Sequence, residues 1–505
     1  MARYFRTLPF FVVLLFAAAA ATLIPAAYGL AVDDHHSARV FFYSGLLIAI
    51  GALLLGFATQ ARKRAETDQK YLISLLLSYV WLPVILGVPM MEAVGNTRAI
   101  NVYLDMVSAL TTTGAPVFEP GRLAETVHLW RATVGWLGGL LIWVTALAVL
   151  APLNLGGFEV TSEVTAPGQA TPSSGQMRAA APAARLRRQA AALTPIYLGL
   201  TALLAAGLMV AGERPLVAAI HAMSTLSTSG ISATGGLGDA GAGVAGEALI
   251  LVFFIFALTR RSFTLGFGRQ AKQWVGRDRE VRLAVIAVIV LTAVLFSRHW
   301  LAAFEVDELA NAGGAVAALW GSVFTVTSFL TTTGFVSDSW EGAQTWSGLQ
   351  TSGLILAVVA IMGGGVATTA GGVKLLRVYA LYKHGAREIE RLVHPHSVAG
   401  AGQLGRRIRR EGAFVAWIFF MLFLLSLATV MLALSATGLP FEQALMLAAA
   451  ALSTCGPLAT VAGTEPTIYL ALSDPAKIVL AAAMILGRME TLVFMAVFIP
   501  AFWRS

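Results

Sequence analysis

Apolar runs of about 20 residues, the length a helix needs to cross a bilayer core, recur from the beginning of this chain to its end. The first lies in the opening "MARYFRTLPFFVVLLFAAAAATLIPAAYGLA", and a second, from Val40 to Phe57, follows directly. No polar stretch between runs reaches the size of an ordinary soluble domain, about 100 residues. Of the 505 residues 57% are hydrophobic and 12% charged, which fits a polytopic membrane protein with no enzymatic or nucleotide-binding module of its own. The opening has the basic lead, apolar core and small residues of a signal peptide. Its apolar run is long for a signal core and a second run succeeds it, so a retained helical hairpin over residues 1–64 is expected. The sole cysteine, Cys455, rules out an intrachain disulfide.

The net charge of +8 does not point to nucleic acid, because the basic residues fall between apolar runs in alternation. One group is Arg62, Lys63 and Arg64, the next Arg185, Arg187 and Arg188, then Arg260 to Arg277, then Arg406 to Arg410. By the positive-inside rule these are cytoplasmic loops. Acidic residues such as Asp33, Glu119, Asp239, Asp338 and Glu465 occupy the alternate loops, which places both termini in the cytoplasm.

Four of the outward connections carry the same kind of polar turn: "SALTTTGAPVF" from Ser108, "MSTLSTSGISATGG" from Met223, "TSFLTTTGFVSDSW" from Thr327 and "ALSTCGPLAT" from Ala451. Their glycines, Gly114, Gly230, Gly334 and Gly456, recur every 100 to 120 residues or so, which implies four copies of one unit. The repeats are expected at 65–151, 192–262, 283–381 and 412–505. Before each turn runs a shorter apolar segment, for example "AVAALWGSVFTVTSFL" from Ala315 or "LPFEQALMLAAAALST" from Leu439, too short to cross and return, and read here as a re-entrant pore helix. Irregular backbone at membrane depth is tolerated where its carbonyls face protein or a water-filled path. Carbonyl and hydroxyl oxygens are hard ligands for an alkali cation, and glycine permits the backbone geometry that aims them. A single such turn would be no more than a polar loop at a helix end. Four in matching positions point to a shared cation path, and the expected architecture is all-α, a two-helix hairpin followed by four helix–pore helix–helix repeats around one central pore.

With these turns and two further stretches, "IMGGGVATTAGGVKLLR" (361–377) and "LGRMETLVFMAVFIPAFWR" (486–504), the whole chain resembles the transmembrane subunit of bacterial Trk potassium-uptake systems, in the Trk/Ktr/HKT superfamily. The resemblance implies one selectivity filter for K+ lined by Thr112, Thr113, Gly114, Thr228, Ser229, Gly230, Thr332, Thr333, Gly334, Thr454, Cys455 and Gly456. Members with serine at the first filter glycine favour Na+, so Gly114 implies K+. The fourth turn departs from the family, with Ser-Thr-Cys where Asn-Asn and a hydrophobic residue are usual. The resemblance also implies a separate cytosolic nucleotide-binding regulatory subunit, a homodimer with one pore per subunit, and an inner-membrane location. K+ is the transported ion, with no organic cofactor.

Gly363, Gly364, Gly365, Gly371 and Gly372, with Thr368 and Thr369 among them, fall late in an apolar helix, where each glycine costs about 1 kcal/mol relative to alanine. A break in the helix is expected there, the alternative being close helix packing through small residues. In the family the equivalent loop obstructs the pore. Lys374 follows, with a stem long enough to snorkel to the cytosol. Arg488 lies eleven residues past Lys477, roughly 16 Å into the last helix and near the bilayer middle, where a charge faces protein or water. It is either one half of an interhelical salt bridge or, as the resemblance implies, an electrostatic barrier in the pore. A secondary symporter moving a small solute with Na+ or H+ is the competing function, since broken helices serve transporters too. An enzyme is not expected, because Cys455 and the scattered histidines form no catalytic or metal-binding pattern.

Overall fold

Peptide groups in hydrocarbon find no water to bond, so apolar runs close their hydrogen bonds within themselves. In the computed structural model every apolar run with a described backbone is accordingly helical. The structure describes residues 9–60, 68–153, 155, 157–158, 181–259, 278–303, 312–347, 352–394, 410–463 and 466–490, and no strand occurs among them. Seven of these helices are long and apolar enough to cross a membrane.

The N-terminal pair comes first. Phe10–Ala21 continues as Leu23–Ala31, with the Thr22 hydroxyl donating to the Ala19 carbonyl at the joint (2.8 Å), and His35–Gln60 returns beside them. The pair is tied to the first return helix by Tyr28, whose hydroxyl donates to Glu125 (2.6 Å), and by Thr126, which donates to Asp34 (3.2 Å).

Four units of outbound helix, short helix and return helix come next. In the first these are Asp68–Val94, Ala99–Leu110 and Glu125–Thr145. In the second they are Pro182–Val210, Pro215–Ser227 and Gly243–Phe253. The third has Arg279–Ala303, Ala312–Leu330 and a return in pieces, Trp340–Ser347, Ser352–Met362 and Leu375–Val393. The fourth has Arg410–Ser435, Phe441–Leu452 and Asp474–Met489. Each return helix packs on the short helix of the next unit, and the fourth packs on the first, so the units close into a ring around one axis.

Two elements run differently from the expectation. The second outbound helix begins at Pro182, so Arg185 is not in a loop: it is buried and donates to the Ala148 carbonyl at 3.0 Å. That carbonyl lies in a π-helical turn, Ala146–Leu150, where the wider winding leaves backbone groups for outside partners. The last helix ends at Met489, because Glu490 adopts φ 60°, and the expected continuation over 491–505 lies outside the described residues.

Candidate functional site

Each short helix ends in a threonine of left-handed backbone conformation: Thr112 (φ 53°), Thr228 (54°), Thr332 (56°) and Thr454 (51°). For a β-branched residue this conformation is rare and costs about 1–3 kcal/mol, so it persists only where the surroundings impose it. The imposing bond is the same in all four turns. The next N–H reaches back to the carbonyl five residues earlier, Thr113 to Ser108 (2.8 Å), Ser229 to Ser224, Thr333 to Ser328 and Cys455 to Ala450 (2.9 Å each). The carbonyls of Thr112, Thr228, Thr332 and Thr454 themselves accept no hydrogen bond from any described residue.

The four turns touch in cyclic order. A Cβ on Gly114 would strike the Ser229 carbonyl oxygen, one on Gly230 the Thr333 carbonyl, one on Gly334 the Pro457 ring at 2.9 Å, and one on Gly456 the Ala115 backbone. Gly456 also donates its N–H to the Thr113 carbonyl (2.6 Å), which closes the ring between fourth and first turns. All twelve residues expected to line a filter therefore lie in one small ring, buried except for the partly buried Gly230.

Side chains brace the first three turns alike. Hydroxyls two residues apart bond across the threonine: Thr111 with Thr113 (2.8 Å), Ser227 with Ser229 (3.0 Å), Thr331 with Thr333 (3.0 Å). In the fourth turn Cys455 has no hydroxyl to offer, and Ser453 keeps only its bond to the Ala449 carbonyl (2.6 Å), the counterpart of Thr111 to Val107 (2.7 Å) and Ser227 to Met223 (2.8 Å). The fourth turn also leaves differently. Gly114, Gly230 and Gly334 have positive φ, whereas Gly456 does not, and Pro457 leads into a helical turn, Leu458–Val461. There the Cys455 carbonyl accepts from Leu458 N–H (3.1 Å), and the Gly456 carbonyl accepts from Tyr469 hydroxyl (2.8 Å) and Ala459 N–H (3.2 Å).

The glycine-rich segment packs against this ring. The third return helix stops at Met362, and left-handed residues at Gly363 (φ 71°), Ala367 (55°), Gly372 (75°) and Lys374 (82°) fold 363–374 into a closed loop. Val373 N–H bonds to the Ile361 carbonyl (2.8 Å) and Leu375 N–H to that of Gly364 (3.0 Å), which pins its two ends together. Gly371 N–H donates to the Thr332 hydroxyl (2.8 Å), and a Cβ on Gly371 would strike the Thr454 hydroxyl. Thr369 donates to the Leu226 carbonyl (3.1 Å), and Thr368 and Gly365 donate to the Ala257 carbonyl (3.0 and 2.9 Å). The loop thus bridges the second, third and fourth units at the ends of their short helices.

Arg488 is buried and donates to the Thr369 carbonyl at 2.7 Å, so its partner is the loop backbone and not a carboxylate. Its Nε and Nη2 have no partner among the described residues. The carboxylate nearby, Glu490, pairs with Arg377 (2.9 Å), whose guanidinium lies 3.7 Å from the Phe419 ring centre. Lys374 does not snorkel: it is 5% exposed, and its ammonium is hydrogen-bonded to the Ala370 carbonyl. Thr368, Gly371, Lys374, Arg488 and Glu490 line one small cavity against the loop.

Several residues that hold the site carried no local signal in the sequence. Asp105 on the first short helix takes a two-pronged bond from Arg131, 26 residues away. Glu247 gathers the Trp320 indole (2.6 Å), the Ser337 hydroxyl and the Asp338 N–H (2.8 Å each), and so fixes the chain leaving the third turn. Lys477 donates to Asn101 (2.7 Å), joining the last helix to the first short helix.

Among proteins of known family, the TrkH family, described as "Cation transport protein", matches residues 249–505. The Trk system potassium uptake protein TrkH of Halomonas elongata is 31% identical over 488 residues, 91% of either chain. The protein of the same name from Vibrio parahaemolyticus is 29% identical over 422 residues, 81% of either chain. The crystal structure of the potassium transporter TrkH from Vibrio parahaemolyticus superposes with a TM-score of 0.81 at 26% identity, covering 99% of this chain and 100% of that one.

Proposed function

The chain belongs to the TrkH family of cation transport proteins, and we propose that it is a potassium uptake transporter of the bacterial inner membrane that selects K+ at the ring of four turns. The observation that carries this reading is the ring itself. Four threonines are held in one unusual conformation by one repeated bond, with their carbonyls left without a donor among the described residues in a buried setting. A carbonyl so placed costs energy unless something else satisfies it, and a dehydrated cation does so. Positions 112–114, 228–230, 332–334 and 454–456 form the filter, with Thr454 supplying most of what the fourth turn offers.

The loop 363–374 is the gate. It is anchored to the ring through Gly371 and Thr369, and Arg488 holds it from the last helix, with Arg488 and Lys374 adding positive charge on the ion path. A permeating cation is repelled while those groups stay. A separate cytosolic nucleotide-binding subunit biases the loop between closed and open arrangements, through its different affinity for the two. The functional unit is a homodimer with both termini in the cytoplasm. The family is one of transport, so the reading as an enzyme is set aside.

Isotope flux of K+, Rb+ and Na+ into proteoliposomes, with and without the regulatory subunit, tests the reading. Uptake of K+ and Rb+ well above Na+, increased by the subunit, is expected. Equal uptake of Na+, or uptake that requires a co-transported organic solute, would overturn it.

A further inference from the structure

Three residues before the serine or alanine that receives each turn's N–H, the short helices carry Asp105, His221, Thr325 and Leu447. The first three are polar anchors. Asp105 holds Arg131, Thr325 accepts the N–H of Ser337 (3.3 Å), and His221 bridges Glu213 (Nδ1 to Oε1, 2.5 Å) and Ser232 (Nε2 to Oγ, 2.8 Å). His221 is fully buried and meets Phe335 edge to face at 5.5 Å between ring centres. Ser232 lies two residues after Gly230 and Phe335 directly after Gly334, so one imidazole touches the chain leaving both the second and the third turns.

The carboxylate can only accept, so the proton between it and the ring sits on Nδ1. In the neutral ring Nε2 is then an acceptor and takes the hydroxyl proton of Ser232. In the charged ring Nε2 donates, and Ser232 must turn its proton to the Gly236 carbonyl or the Thr234 hydroxyl, each 3.0 Å away. The proton state of His221 therefore sets the direction of a hydroxyl that ties residues 232, 234 and 236 together. No other charged group on the packed elements is bonded to the ring among the described residues. On the first return helix Glu125 accepts from Tyr28, His128 faces the Pro120 carbonyl and Arg131 is held by Asp105. On the second return helix Glu247 is occupied by Trp320, Ser337 and Asp338. Arg185, Arg187 and Arg188 lie at the other end of the second outbound helix, more than about 30 Å along it. Tyr197, on the same helix, points its hydroxyl at the Trp136 carbonyl, and Arg214 and Asp338 are exposed.

We propose that His221 is a positioning residue for cation selectivity, holding the second and third turns through Ser232 and Phe335 and adjusting them when it gains or loses a proton. The proposal rests on the reading of the four turns as a selectivity filter. Its test is the K+/Na+ uptake ratio in proteoliposomes, with equal pH on both sides, at several values from about pH 5 to about pH 8. The wild type is expected to show a pH-dependent ratio. His221→Ala should lower the ratio by about two- to tenfold, the weight of one or two hydrogen bonds, and flatten its pH profile. His221→Gln, which can make both bonds but does not titrate, should recover most of the ratio and keep the flat profile. Ser232→Ala leaves the His221–Glu213 pair in place, and it should flatten the profile too; it decides the matter if the alanine variant at 221 does not assemble. A flat wild-type profile, or a wild-type profile in Ser232→Ala, overturns the proposal. Gly230→Ser keeps the two failures apart: if it abolishes selectivity while His221 proves indifferent, the filter stands and this inference falls, whereas a wild-type ratio in Gly230→Ser removes the filter reading itself.

Discussion

Turns one to three and turn four start from the same short helix, the same left-handed threonine and the same N–H bond five residues back, yet they are braced in opposite ways. The first three rely on side chains: a hydroxyl pair across the threonine, and a polar anchor further up the helix at Asp105, His221 or Thr325. The fourth has Cys455 and Leu447 in those places and relies on backbone: Pro457, the helical turn after it, and the bond from Gly456 to the carbonyl of Thr113. What the four share is the threonine conformation with an unclaimed carbonyl. That is the part a cation would use, and the bracing is free to differ because either kind fixes the same backbone.

The largest expected effect comes from breaking the shared part. Gly114→Ser puts a side chain where the Ser229 carbonyl already lies, at φ 66°, and the K+/Na+ uptake ratio is expected to fall by about tenfold to a hundredfold. Gly334→Ser faces the Pro457 ring instead of a carbonyl, so the same measurement should show a smaller fall. A ratio unchanged in both variants would remove these turns from ion selection.

The loop joins the two kinds of turn, bonded to Thr332 of the third and packed on Thr454 of the fourth, so it is the next place to intervene. Deleting 368–371 removes the contacts to Thr332 and Leu226 together. Basal K+ flux should rise and become nearly independent of the regulatory subunit, with the K+/Na+ ratio kept. Wild-type basal flux with full dependence on the subunit would return the glycine cluster to a helix-packing role. Arg488→Ala leaves the loop but removes a charge and the bond to Thr369, and a rise in K+ flux of about tenfold is expected. A fall in flux at normal protein abundance would mean that Arg488 mainly holds the loop in place.

Much of this was legible in the sequence because it repeats. Four Ser/Thr-rich turns in matching positions reveal the units, and a run of glycines within an apolar helix reveals the break. What was not legible depends on contacts distant in sequence. Arg377 and Glu490 pair across 113 residues and Arg131 and Asp105 across 26, and neither pair carries a local motif. Lys374 looked like a snorkelling residue because the sequence does not show that φ 82° turns it back to the loop. The break after Met489 was not legible either, because the apolar pattern runs on past Glu490 and gives no sign that this residue takes φ 60°.

The smallest effects sharpen the comparison most, because they exchange the two kinds of bracing. Thr333→Val keeps the volume and removes the hydroxyl pair with Thr331, and should lower the K+/Na+ ratio by about two- to fivefold, the worth of one buried hydrogen bond. Cys455→Ser does the reverse. It gives the fourth turn the Ser-Thr-Ser sequence of the second, where Ser227 and Ser229 bond at 3.0 Å, and Ser453 has acceptor capacity left after donating to Ala449. The replacement is no larger than cysteine, so the buried site takes it without the overpacking that threonine would bring. A gain of about twofold in the K+/Na+ ratio is expected. If Thr333→Val lowers the ratio and Cys455→Ser leaves it unchanged, the backbone bracing of the fourth turn is already sufficient. If neither variant moves the ratio, the hydroxyl pairs stabilise the fold without setting selectivity, and the left-handed threonines with their free carbonyls carry it alone.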